Sequence, residues 1–178
     1  MPHTFAGRPW AHWVTFLARQ ILGITLIVAG ALKVGWPEAS VQAVRGYQLL
    51  PFDLTRPVGY ALPVIELVLG LLLVTGLFTR VAAWLGAGIM VAFIIGIAWV
   101  WSQGISIECG CFGGGGEVEG AIASYPWHIA GNIGLTACGV WAALFPASPF
   151  SLDAKLFAVA PSSVEEAVNE PQHEESPA

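Results

Sequence analysis

Residues 81–103 read VAAWLGAGIMVAFIIGIAWVWSQ and contain no charged side chain. About 20 apolar residues in a helix rising 1.5 Å each cross a hydrocarbon core of roughly 30 Å. Trp84 stands near one end of the stretch, and Trp99 and Trp101 near the other. Indole rings prefer that headgroup level, so the stretch reads as a transmembrane helix and decides the class of the fold. The composition agrees: the 178 residues are 56% hydrophobic and 11% charged, with a mean hydropathy of +0.69, whereas soluble domains carry about 25% charged residues.

Outward from this segment, three more runs are long and apolar enough to be spans, at about 13–32, 57–78 and 127–145. The expected fold is therefore all-α, a four-helix transmembrane bundle over residues 1–146. Arg19 and Gln20 interrupt the first run; Arg19 is close enough to its start to snorkel toward the interface. A cleavable signal peptide is the competing reading of that run, because Ala29-Gly30-Ala31 supplies a small-x-small pattern. The apolar stretch is longer than the usual h-region, which favours an uncleaved helix. Residues 147–178 turn to Pro, Ser and Glu, ending in Glu174-Glu175 and beyond, and are expected to form a disordered acidic tail. That tail supplies most of the net charge of −5, and there is no basic patch for nucleic acid.

Four spans put both termini on one side and the loops around 33–56 and 104–126 on the other. Arg8, Arg19, Arg80 and Lys155 then face Lys33, Arg45 and Arg56, a small excess that favours termini in the cytoplasm. In the first of those loops, Val41, Val44 and Tyr47-Gln48-Leu49 suggest a short interfacial helix stopped by Pro51.

Chemistry concentrates in Cys109-Gly110-Cys111-Phe112-Gly113, two thiols one residue apart where the third apolar segment gives way to glycines. In an extended or turning backbone residues i and i+2 point the same way, so the two sulfurs can meet one partner or close a small, strained ring. Such a pair supplies both the attacking and the resolving thiol of disulfide exchange. The exocytoplasmic side suits it, since the cytosol keeps thiols reduced. Glu66, deep in the second span, needs a partner, and Lys33 at the end of the first is placed to give one. The pair either registers two helices or serves a quinone headgroup or a proton path. In the fourth span Pro126 opens the helix, and His128 and Asn132 share a face four residues apart; a histidine there can tune a thiol or accept a proton. Cys138 reads as a small packing residue, and Gly86, Gly88 and Ala92 as a surface for close helix contact. Two thiols and His128 are a thin donor set for a soft metal, with no Met-rich or His-rich segment beside them, so no metal is expected.

The order Leu32-Lys33, Tyr47-Gln48-Leu49-Leu50-Pro51, Pro63 with Glu66-Leu67 and Gly70, and finally Cys109-Gly110-Cys111-Phe112-Gly113 resembles the MauE family of DoxX-like membrane proteins. Gly131 stands before Asn132, where the family often carries a basic residue. The resemblance implies a four-helix, redox-associated membrane protein of methylamine metabolism. It further implies a role in maturing a disulfide-rich periplasmic enzyme beside a thioredoxin-like partner, or a place in a quinone-linked oxidoreductase complex. Two functions follow as expectations. In the first, Cys109 and Cys111 exchange with a thioredoxin-like protein or client and pass electrons to a quinone pool, with Glu66, Lys33, His128 and Asn132 around the cofactor. In the second, the chain is a non-catalytic subunit or assembly factor whose cysteines form a structural clip.

Overall fold

The computed structural model describes residues 9–108, 110, 116, 118–146, 148 and 151–153. Five α-helices follow in order: α1 Pro9–Val34, α2 Pro37–Gly46, α3 Phe52–Thr75, α4 Thr79–Ser102 and α5 Tyr125–Leu144, the last preceded by a 3-10 turn at Ala121–Ser124. No strand is present among the described residues; Ile107 carries only an isolated bridge.

Three helices, α1, α3 and α4, are long and apolar enough to cross a membrane. The four expected spans are all helical, but α5 is not among the three. Its first turns carry Trp127, His128 and Asn132, which dilute a 20-residue segment. On the other three helices large apolar side chains point away from the protein, among them Leu17, Ile24, Val64, Leu71, Leu85 and Ile95. A water-soluble chain does not leave so much contiguous apolar surface uncovered. The bundle is inside-out in the manner of membrane proteins: small residues, Ala82, Ala83, Ala142 and Ala143, fill its centre with Leu22, Leu26, Leu69 and Leu73.

Around the bundle each long helix packs on two neighbours, α1 on α3 and α5, α4 on α5 and α3. The α1–α3 seam is a backbone contact. A Cβ added at Gly70 would lie 2.7 Å from the Gly23 carbonyl oxygen, and one at Gly30 would lie 2.8 Å from that of Pro63. Only glycine lets two helix backbones approach so closely.

Helix α1 stops at Val34 because Pro37 forces the preceding residue out of the helical region; Trp36 sits at φ −139°, ψ 68°. The short helix expected here does form, but it ends at Gly46, with Gln48 in the left-handed region at φ 54° before Pro51 starts α3. Rather than standing apart from the bundle, α2 continues the line of α1 along α3. Its Val41 packs against Gly59, and Arg45 donates to Thr55 over 3.2 Å while covering the Phe52 ring at 4.3 Å. Helices α1 and α2 thus act as one broken helix paired antiparallel with α3. Helix α3 itself begins five residues earlier than the expected span, at Phe52, and takes Pro57 and Pro63 inside it.

At the end of the bundle where α1 begins, Arg19 does not snorkel outward. It is fully buried, donates to Ser148 Oγ over 2.9 Å and lies against Gly76, whose φ of 73° no side chain tolerates well. Of the region expected to be a disordered tail, Ser148 and residues 151–153 are described, and they dock here. Ser151 Oγ donates to the Gly76 carbonyl over 2.9 Å, and the Asp153 carboxylate accepts from the Phe78 and Thr79 amides at 2.7 and 2.9 Å. It caps the start of α4, satisfying amides that helix geometry leaves unpaired. Asp153→Ala should cost about 0.5–2 kcal/mol and speed amide exchange at Thr79 before the rest of α4; unchanged exchange there would show the cap to be idle. The remainder of the tail lies outside the described residues.

Candidate functional site

The opposite end of the bundle gathers the polar residues singled out in the sequence. Lys33, in the last turn of α1, sits where the carbonyls of a helix C-terminus favour a cation. Its Nζ donates to both carboxylate oxygens of Glu66, at 2.6 and 2.9 Å. The two side chains are 3% and 0% exposed, so each charge depends on the other for its solvation. Lys33 Nζ also lies 5.2 Å from the centre of the Phe93 ring of α4, a favourable cation–π distance.

Phe93 also lines a cleft of about 160 Å³ between α1, α4 and α5. Leu26 and Ala29 line it from α1, Met90 and Phe93 from α4, and Trp127, His128, Gly131, Asn132 and Leu135 from α5, with Thr25 contributing a hydroxyl. The spacing of His128 and Asn132 did put both on one face, and that face borders the cleft. Asn132 is buried and spends its amide group on the His128 carbonyl over 2.9 Å, while Thr25 donates to the Ile21 carbonyl over 2.7 Å. The four residues expected around a cofactor therefore fall into two pairs: His128 and Asn132 line the cleft, Lys33 and Glu66 do not, and Phe93 touches both places.

Cys109 and Cys111 lie outside the described residues. What flanks them is held firmly. The Glu108 amide donates to the Gly116 carbonyl over 3.0 Å and the Val118 amide to the Ser106 carbonyl over 3.2 Å, while Ser106 Oγ donates to the Val118 carbonyl over 2.6 Å. These bonds close a neck between the chain entering the thiol segment and the chain leaving it. Within the segment Gly110 is buried and takes φ 65°, a conformation that costs glycine little and other residues more.

Tyr125 anchors the neck. Its ring is buried with Ile97, Val100 and Ile107, and its hydroxyl accepts from the Ile107 amide at 2.9 Å and reaches the carbonyls of Ile105 and Ile107 at 2.9 and 3.0 Å. Tyr125→Phe would leave the buried Ile107 amide unpaired at a cost of about 1–3 kcal/mol. We expect faster hydrogen exchange at Ile107 and Glu108 with the bundle still folded; exchange confined to its original rate would remove Tyr125 from this role.

Phe93, Thr25 and Tyr125 were not anticipated. An aromatic in an uninterrupted apolar run, a threonine in another and a tyrosine before Pro126 carry no periodic signal that separates a site residue from a packing residue. Cys138 is half-buried against the core, and Gly86 faces Leu22 and Leu26 whereas Gly88 meets nothing within 4 Å. Among the described residues no three His, Cys, Asp or Glu side chains come together as a metal site.

The sequence pattern of the family described as "Methylamine utilisation protein MauE" matches residues 11–145. No curated protein and no solved structure matches the chain.

Proposed function

Because this chain belongs to the MauE family and carries three helices fit to cross a membrane, we propose that it is a membrane thiol–disulfide carrier of methylamine utilisation. Cys109 and Cys111 exchange with a thioredoxin-like protein or a disulfide-containing client, and the membrane pool, a quinone by class, takes or supplies the electrons. In this reading α5 is the fourth span, the membrane is the bacterial inner membrane, and the thiol segment faces outward with the termini in the cytoplasm.

The observation that carries the proposal is the neck formed by the chain on either side of the thiol segment. Ser106 and Glu108 are bonded to Val118 and Gly116, and Ile107 to the buried Tyr125 hydroxyl, which gives the chain entering and leaving the cysteine segment a common base. Exchange needs such a base: a thiolate attacks in line with a disulfide bond, and a second thiol must stay near enough to resolve the mixed disulfide. When the pair closes, two S–H bonds are lost, one S–S bond forms, and two protons and two electrons leave. A quinone accepts two of each, so the exchange balances.

The test is the redox state of Cys109 and Cys111 in intact cells, read with a membrane-impermeant thiol reagent that adds mass, with and without quinone depletion. We expect thiols that are accessible from outside and that accumulate when quinone is withdrawn. A permanently oxidised pair indifferent to quinone would overturn the carrier and leave a structural clip in an assembly subunit.

A further inference from the structure

The cleft between α1, α4 and α5 is neither a packing fault nor part of the ion pair. Its walls are chiefly aliphatic and aromatic, and its polar lining is a small cluster, His128 and Asn132 from α5 with Thr25 from α1. Thr25 and the Asn132 amide group already donate to backbone carbonyls within their own helices. The His128 ring makes no hydrogen bond to another described residue, so the imidazole joins the exposed Trp127 indole and the second N–H of the Asn132 amide as a donor this cleft leaves unspent, while Asn132 Oδ1 and Thr25 Oγ1 can still accept. A small apolar cavity with one convergent polar cluster is the usual form of a small-molecule site.

We propose that this cleft seats the ring of a quinone, a flat apolar body with an oxygen at its edge, and that His128 is the residue that bonds that oxygen. The volume of about 160 Å³ suits a single substituted six-membered ring and not a phospholipid headgroup with its phosphate, for which the lining offers no lysine or arginine. Phe93 and Met90 supply one wall and Leu26 and Ala29 the other, the flat, soft surfaces on which a ring stacks. Gly131 keeps the entrance clear: a Cβ there would meet nothing within 4 Å. Trp127, 80% exposed, stands at the rim. When bound, a quinone supplies two-electron chemistry with uptake of two protons. His128 then holds a proton at the ring oxygen, Asn132 fixes the turn of α5 that carries His128, and Lys33 and Glu66, which do not line the cleft, stay out of contact with the ligand. The last point separates this assignment from one in which all four polar residues surround the cofactor.

The inference rests on the carrier proposal for its electron source and not for binding, so the two are tested apart. The full chain in nanodiscs is titrated with a short-chain benzoquinone while tryptophan fluorescence is followed. Quenching is expected, reduced by the change Trp127→Phe, which removes the rim reporter. Gly131→Leu fills an open space without displacing any neighbour, so it should fold with an unchanged melting temperature and lose quinone affinity by more than tenfold. His128→Ala removes one hydrogen bond and should weaken binding by about tenfold, whereas Glu66→Gln should leave the affinity within about twofold. Unaltered affinity in Gly131→Leu, or displacement of the quinone by decanol as effectively as by a second quinone, would overturn the site and mark the cleft as a lipid crevice. Binding that survives replacement of Cys109 and Cys111 by serine supports the cleft even if the thiols prove not to cycle.

Discussion

Glu66→Leu alone is expected to destabilise the bundle by about 3–5 kcal/mol, because it strands the Lys33 ammonium, 3% exposed, without its carboxylate. Lys33→Leu alone should do the same from the other side. The double replacement should recover most of the loss, since two leucines of similar reach pack against Phe93 and the α1–α3 seam without a charge to solvate. Thermal unfolding in detergent, scored by the monodisperse fraction, reads all three. If the double variant is no better than either single one, the pair is not what couples the end of α1 to the middle of α3. The comparison also separates a registering role from a chemical one. A double variant that is stable but fails to cycle its thiols would place the pair in the reaction, whereas one that cycles normally would confine it to architecture.

Gly70→Leu should be nearly as damaging, for the opposite reason. The added Cβ would lie 2.7 Å from the Gly23 carbonyl oxygen, 2.7 Å from Ile27 Cγ1 and 2.9 Å from the Ile27 backbone nitrogen. Two of those three atoms are backbone, so no rotamer change relieves the clash and α1 must move off α3. Overpacking of this kind costs about 1–3 kcal/mol or more. It should also carry Lys33 away from Glu66, four residues from Gly70 on the same helix. Gly88→Leu is the matched control: its Cβ meets nothing within 4 Å, and its melting temperature should stay within a degree or two. A Gly70→Leu protein as stable as the control would show that the close α1–α3 approach is not required.

How far these results were legible in the sequence differs from residue to residue. The uninterrupted apolar run at 81–103 read as one long apolar helix, and α4 occupies 79–102. Lys33 and Glu66 were legible as partners because an isolated carboxylate in an apolar span must find one, and few cations were near. His128 and Asn132 were legible as neighbours because helical periodicity alone puts i and i+4 on one face. The break at Gly35-Trp36-Pro37 was readable as the end of a helix, but not its consequence, that α2 resumes the same line along α3. That depends on Val41 lying in the notch left by Gly59, a contact between residues 18 positions apart.

By itself, then, the sequence determined what short-range rules can determine: which segments are apolar and helical, which charges are too costly to leave unpaired, and that two thiols share one short segment. The tertiary structure decided what depends on which helix lies beside which. It set Phe93 against the Lys33 ammonium and in the wall of the cleft that His128 borders, opened a cleft where α1 and α5 do not fill the space between them, turned Arg19 inward beneath Ser148, and anchored the neck flanking the thiol segment to Tyr125. The reason is physical. Hydrophobic transfer and backbone hydrogen bonding act on each segment almost regardless of its neighbours, whereas cavities, stacked rings and buried hydrogen bonds belong to pairs of segments and come into being only when those segments meet.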